Sequence, residues 1–187
     1  MGFTRAELDR FRDATIPDLL PAHPRLVFVG INPGLWTAAT GTPFAHPGNR
    51  FYPALVAAGI LPRLPDFTGA LSADDRRMIA DAGIGITNLV NRATARADEL
   101  TLDELRAGGA ALEARMAEVA PGVVAMVGIT AYRQAFTRPR ARVGEQEERI
   151  GGCRTWVLPN PSGLNAHDTV ATLAAAYAEP ARVAGIL

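Results

Sequence analysis

Lysine is absent from this chain. All 19 basic side chains are arginine, so no side-chain amine can attack a carbonyl carbon, and Schiff-base chemistry is excluded at any site remote from the N-terminal amine. Cysteine is nearly absent too. The single Cys153 cannot close an internal disulfide, and three scattered histidines offer no CxxC or HExxH spacing, so neither a metal nor a cofactor is expected. No run approaches the roughly 18 apolar residues of a membrane-spanning helix, and the N-terminus is charged and amphipathic, unlike a secretory leader. A cytoplasmic protein with no membrane association is expected. Net charge is missing as well, since 19 acidic side chains balance the 19 basic ones. Nothing global therefore draws the chain to nucleic acid, and such binding must rest on local patches. The best of them is Arg133, Arg138, Arg140 and Arg142, interleaved with Phe136 and Pro139.

What is present is a globular composition, 48% hydrophobic and 20% charged over 187 residues, which is enough for one domain that buries about 70% of its unfolded surface without staples. Residues 1–24 read as an N-terminal helix and lead-in, with Phe3, Leu8 and Phe11 spaced along an amphipathic helix over 3–14 that ends before Pro17. Four apolar runs follow at intervals: Leu26–Val29, Gly85–Val90, Val123–Val127 and Cys153–Leu158. Helical patterns separate them. Phe51, Leu55, Val56 and Ala58 suit one helix, and Ser72 with Asp74 and Asp75 opens another that reaches about Asp81. Thr101 and Glu104 form a capping-box pattern for a third, whose middle the Gly108-Gly109 pair should loosen, and a short helix runs through Tyr132 and Phe136. A last helix is expected from about Asp168 to Glu179. Leu35–Arg50 reads as a long irregular segment, and residues 138–142 as an arginine-rich loop. Strands alternating with helices indicate α/β architecture: a three-layer α/β/α sandwich around a mainly parallel sheet of about four strands.

Two strand ends carry unusual chemistry. The first run stops at Gly30-Ile31-Asn32-Pro33-Gly34, and the last at Leu158-Pro159-Asn160-Pro161-Ser162-Gly163-Leu164-Asn165. In a parallel sheet both open on the same carboxyl edge, where ligands of open α/β folds sit. Taken singly, Asn-Pro-Gly is equally a tight turn in which Asn32 bonds its own backbone.

Together with Pro43-Phe44-Ala45-His46-Pro47 and Asn49-Arg50-Phe51, these stretches resemble the uracil-DNA glycosylase superfamily, and within it the branch of mismatch-specific uracil and thymine DNA glycosylases. Thr87–Arg92 and Ala107-Gly108-Gly109 also fit, so the resemblance spans nearly the whole chain beyond the N-terminal helix. It implies a monofunctional enzyme of base excision repair in the bacterial cytosol and nucleoid. Such an enzyme flips uracil out of a duplex, favours mispairs with guanine, hydrolyses the N-glycosidic bond and leaves an abasic site. Its partner is double-stranded DNA containing uracil or mismatched bases, and a monomer with no obligate protein partner is expected.

Residue by residue, the resemblance assigns Asn32 to the attacking water and Asn160 to the departing base, at a position where uracil-specific relatives carry histidine. It assigns Phe44 to stacking on the flipped base, the backbone N–H groups of Ile31 and Phe44 to hydrogen bonds with it, and Asn88 and Thr37 to its pocket, Thr37 facing carbon 5. Leu164, with Gly163 and Asn165, becomes the wedge and the contact to the opposite base, and Ser162 a phosphate contact. His46 supports the stacking loop, and His167 is a cap or phosphate contact. Asn91 and Ala93 stand on the loop where a supporting carboxylate would be sought, and neither is acidic. An alternative is therefore a catalytically weak or inactive damage-binding module of the same fold. A dinucleotide enzyme is disfavoured because no GxGxxG follows the first strand.

Overall fold

Each of the four apolar runs becomes a strand of one sheet in the computed structural model, which describes residues 2–187. In chain order the elements are α1 (Arg5–Asp9), β1 (Leu26–Gly30), α2 (Leu35–Thr40), α3 (Phe51–Ala57), α4 (Ala73–Asp81) and β2 (Ile84–Asn88). They continue with α5 (Leu102–Val119), β3 (Val123–Val127), α6 (Ile129–Ala135), β4 (Gly144–Ile150), β5 (Cys153–Leu158) and α7 (Val170–Val183). The sheet order is β2-β1-β3-β5-β4, with the first four strands parallel and β4 antiparallel to β5. From β1 the chain moves to β2 on one side and then to β3 on the other. That reversal opens a crevice at the carboxyl ends of the strands.

Side chains of the buried strands alternate between two cores. Leu26, Phe28, Ile86 and Leu158 face Phe51, Leu55, Leu173 and Tyr177 from α3 and α7. Val27, Val29, Val124 and Met126 face Leu105, Leu112, Met116 and Tyr132 from α5 and α6. The result is the expected α/β/α arrangement.

The sheet has a fifth strand where an arginine-rich loop and its continuation were expected. In β4 only Ile150 is fully buried, because an edge strand with solvated faces needs charges and not an apolar run. A two-residue hairpin turn joins it to β5, with Gly151 at φ 58° and Gly152 at φ 81°, the conformation such turns demand. Leu35–Thr40 is helical rather than irregular: an extended Gly34 opens it, and Gly41 closes it in the left-handed region at φ 67°. Nor do Gly108 and Gly109 loosen α5. A Cβ on Gly108 would lie 2.5 Å from the Leu89 carbonyl oxygen and one on Gly109 3.2 Å from that of Ala135, so the pair lets the helix lie close against its neighbours. The N-terminal helix is shorter than expected, ending at Asp9. The last one is longer, running past Pro180 to Val183, because buried Pro180 and Ala181 hold its final turn against the core.

Candidate active site

The crevice at the switch point is a cleft of about 360 Å³ lined by residues from the ends of β1, β2, β3 and β5, within the size range of small-molecule sites. Ile31, Asn32, Thr37, Phe44, Asn88 and Asn160 all line it, and Ser162, Gly163 and Leu164 form its rim. Asn165 does not reach it.

Asn32 is held by its amide nitrogen. Nδ2 donates to the Arg92 carbonyl at 2.8 Å and to Thr94 Oγ1 at 2.7 Å, and Thr94 Oγ1 in turn donates to the Arg96 carbonyl at 2.7 Å. Since the hydroxyl proton is committed to Arg96, Thr94 can only accept from Asn32. The amide is thereby fixed with Oδ1 turned towards the cleft as an acceptor. Asn160 is oriented the opposite way. Its Oδ1 accepts the Ser162 N–H at 3.0 Å, and Nδ2 is a donor with no partner among the described residues. One carboxamide thus presents an oxygen to the cleft, and the other an NH₂.

Phe44 forms the floor. Its ring stacks on the buried Phe51 at 4.0 Å between centroids and 21° between planes, which leaves the other face to the cleft. Its backbone sits in the left-handed region at φ 57°, a conformation rare for an aromatic residue and characteristic of functional sites. The N–H groups of Ile31 and Phe44 have no partner among the described residues. Gly30 keeps the floor tight, because a Cβ there would meet Asn88 Oδ1 at 2.7 Å and the Phe44 ring at 3.3 Å. Thr37 is buried on α2, with its side chain on the cleft wall.

Above the cleft, the turn through Pro161–Asp168 raises Leu164 into solvent with 89% of its surface exposed. Ser162 Oγ accepts the Leu164 N–H at 3.3 Å and keeps its own proton to donate. Asn165 is spent within the turn: Nδ2 donates to the Asn160 carbonyl at 2.9 Å and to Asp168 at 2.8 Å, and Oδ1 accepts the His167 N–H at 3.1 Å. The backbone N–H and carbonyl of Asn165 are likewise committed within the protein, to Ser162 and Arg50. His167 does not cap α7, a role that Thr169 fills. His46 accepts the Gly48 N–H on Nδ1 at 3.0 Å and so braces the loop that carries Phe44.

Neither residue suspected of replacing a carboxylate faces the cleft. Asn91 clamps the backbone of Ile16 with two hydrogen bonds of 2.7 and 3.1 Å, and Ala93 is wholly buried. The side chain that reaches Asn32 from this loop is Thr94, whose only signal in the sequence is a hydroxyl among alanines. The loop is anchored by Arg92, which bonds Glu104 at 2.7 Å and Asp13 at 2.7 Å. Hydrogen bonds from Arg92 and the Thr101 backbone hold the Glu104 carboxyl down at about 2, so both charges are in place across the neutral range. The arginine cluster stands apart from the cleft, with Arg138 paired to Glu148 at 3.0 Å. A second residue without an assigned role is Arg50, whose guanidinium lies beneath the Leu164 turn. The family model described as the uracil DNA glycosylase superfamily matches residues 17–179.

Proposed function

Because this chain belongs to the uracil-DNA glycosylase superfamily, we propose that it is a mismatch-specific, monofunctional DNA glycosylase that extrudes uracil from mispairs with guanine and hydrolyses its N-glycosidic bond. The observation that carries this reading is the opposite commitment of the two carboxamides. Asn32 offers an acceptor, which holds a water, and Asn160 offers a donor, which meets the base. Bond cleavage leaves positive charge on the deoxyribose and negative charge on the base, and preorganised donors lower the barrier where that negative charge gathers. Asn160 Nδ2 and the free N–H groups of Ile31 and Phe44 serve as these donors, while the Phe44 ring stacks on the extruded base. A carboxamide cannot deprotonate water as a carboxylate does, so attack follows advanced C–N cleavage. The Gly163 and Leu164 backbone supplies both donor and acceptor groups to the Watson–Crick edge of the unpaired guanine.

No aspartate or glutamate lines the cleft. That favours slow turnover of easily expelled bases, and it also supports the second reading, a damage-binding module with little catalysis. Single-turnover incubation with a duplex carrying uracil opposite guanine separates the two. Alkali-labile abasic sites are expected, with no strand break before alkali treatment. Borohydride should trap no covalent adduct, because the chain has no lysine to form one. Binding without release of uracil would favour the second reading, and a trapped adduct would refute monofunctional hydrolysis.

Thr37 sets the preference between uracil and thymine in this reading. Its β-branched side chain is stiff and packed into the cleft wall, where a 5-methyl group would crowd it. One misplaced methyl costs about 1 to 3 kcal/mol, or roughly ten- to two-hundred-fold in rate. Thr37→Ala should raise thymine excision relative to uracil from mispairs with guanine; an unchanged ratio would remove Thr37 from the specificity pocket.

A further inference from the structure

The cleft floor and the exposed leucine are carried by two different loops, and one guanidinium joins them. Arg50, immediately before α3, donates from Nη1 to the Asp168 carbonyl and from Nη2 to the carbonyls of Ser162 and Asn165, the latter two at 2.5 and 2.7 Å. Its backbone N–H and Nε both point to the Pro161 carbonyl, at 3.0 and 3.5 Å. Every partner is a backbone carbonyl of the single turn that lifts Leu164. A planar fork with five donors can span such a set, whereas a lysine ammonium is a point charge that cannot.

The two loops also touch directly. A Cβ on Gly163 would lie 2.8 Å from the Gly48 carbonyl oxygen, so the backbones meet with no room for a side chain between them. On the other flank of Arg50, Asn49 Oδ1 accepts the Phe51 N–H at 2.9 Å, and Phe51 is the ring on which Phe44 stacks. Arg50 therefore stands between the support of the floor and the shape of the turn.

We propose that Arg50 is the positioning residue of the wedge: by gathering the carbonyls of Pro161, Ser162, Asn165 and Asp168 it sets the height of Leu164 over the Phe44 floor. Insertion of Leu164 and capture of the base are thereby coupled in one rigid unit. This rests on the reading of Leu164 as a wedge that enters duplex DNA. Arg50 itself touches neither water nor base, so its effect must appear where extrusion limits the rate and vanish where the base is already unstacked.

The test compares uracil excision from a guanine-mispaired duplex and from a single strand under single-turnover conditions, using the full chain. Arg50→Ala should slow the duplex reaction by a factor that approaches but does not exceed that of Leu164→Ala, roughly tenfold to a hundredfold for a positioned group displaced by about 1 Å, and leave the single-strand rate close to wild type. Arg50→Lys keeps the charge but not the fork, and should lose most of the same factor. On duplex, Arg50→Ala combined with Leu164→Ala should be no slower than Leu164→Ala alone, because the two act through one element. Equal losses on both substrates, or multiplying losses in the double variant, would overturn the proposal. If Arg50→Ala does not fold, the same duplex-selective loss is required of Arg50→Lys. Extrusion is read separately by the fluorescence of 2-aminopurine beside the mispaired uracil. Wild-type protein that brightens this probe without releasing uracil would refute the glycosylase reading and leave Arg50 to be judged by the brightening its variants lose. Wild-type protein that does neither would refute both.

Discussion

Asn32→Ala is expected to slow uracil release under single-turnover conditions by about 100-fold or more, the scale on which a reacting group loses its placement, while duplex affinity stays near wild type. The expectation follows from where the side chain spends its hydrogen bonds. Nδ2 is bound to Arg92 and Thr94, both within the protein, so in the proposed function Asn32 holds no DNA, and what the cleft loses is the acceptor that orients water. The variant should still fold. Truncation leaves the Arg92 carbonyl short of a donor, a defect of about 1 to 3 kcal/mol against a typical stability of about 5 to 15 kcal/mol. Thr94→Val provides an internal check, since it removes one of the two cross-loop acceptors that hold Nδ2 and leaves only the Arg92 carbonyl, and should reproduce part of the loss without deleting the amide. A normal rate for Asn32→Ala, in protein shown to be folded, would remove Asn32 from the chemistry.

How much of this could be read from the sequence depended on the range of the forces involved. Apolar runs such as Val123–Val127 announce themselves because a strand covered on both faces must be apolar throughout, and the terminators Gly30 and Pro159 mark where those strands open onto the crevice. β4 was missed for the complementary reason: Glu145, Glu147 and Glu148 satisfy an edge strand but look like a loop. The Gly151-Gly152 pair was the signal that could have found the hairpin. The helix α2 was hidden by the glycines and prolines around it, although Gly34 and Gly41 are its two ends. The convergence of Asn32, Phe44, Asn88 and Asn160 on one cleft at the strand ends was legible, but the orientation of their side chains was not. Asn32 faces the cleft with oxygen rather than nitrogen because the Arg92 carbonyl and Thr94, 60 and 62 residues away, take its nitrogen. Arg50 shapes the Leu164 turn from 112 residues away in the case of Ser162. Partners so distant leave no periodicity and no local spacing, so the sequence displays the residues without their couplings.

Leu164→Ala is expected to slow excision from a paired duplex far more than from a single strand or from an already unstacked site. With 89% of its surface exposed, Leu164 contributes little to the folded protein, and its truncation should change stability by no more than about 0.5 kcal/mol. In the proposed function its apolar area is instead buried on DNA, in the gap that the extruded nucleotide leaves. Burying a leucine contributes about 1.5 to 3 kcal/mol, which is comparable to the few kcal/mol that extrusion costs. Removing it should therefore shift the extrusion equilibrium by roughly tenfold to somewhat over a hundredfold at 1.4 kcal/mol per tenfold. The loss should shrink as the mispair weakens, being largest for uracil opposite adenine, smaller opposite guanine and smallest in single strands, because only the pre-paid stacking changes along that series while the cleft stays the same. The melting temperature of the variant should stay within about 2 °C of wild type. A uniform loss across the series, or a larger fall in the variant's melting temperature, would show that Leu164 supports the fold of its turn and does not enter the base stack.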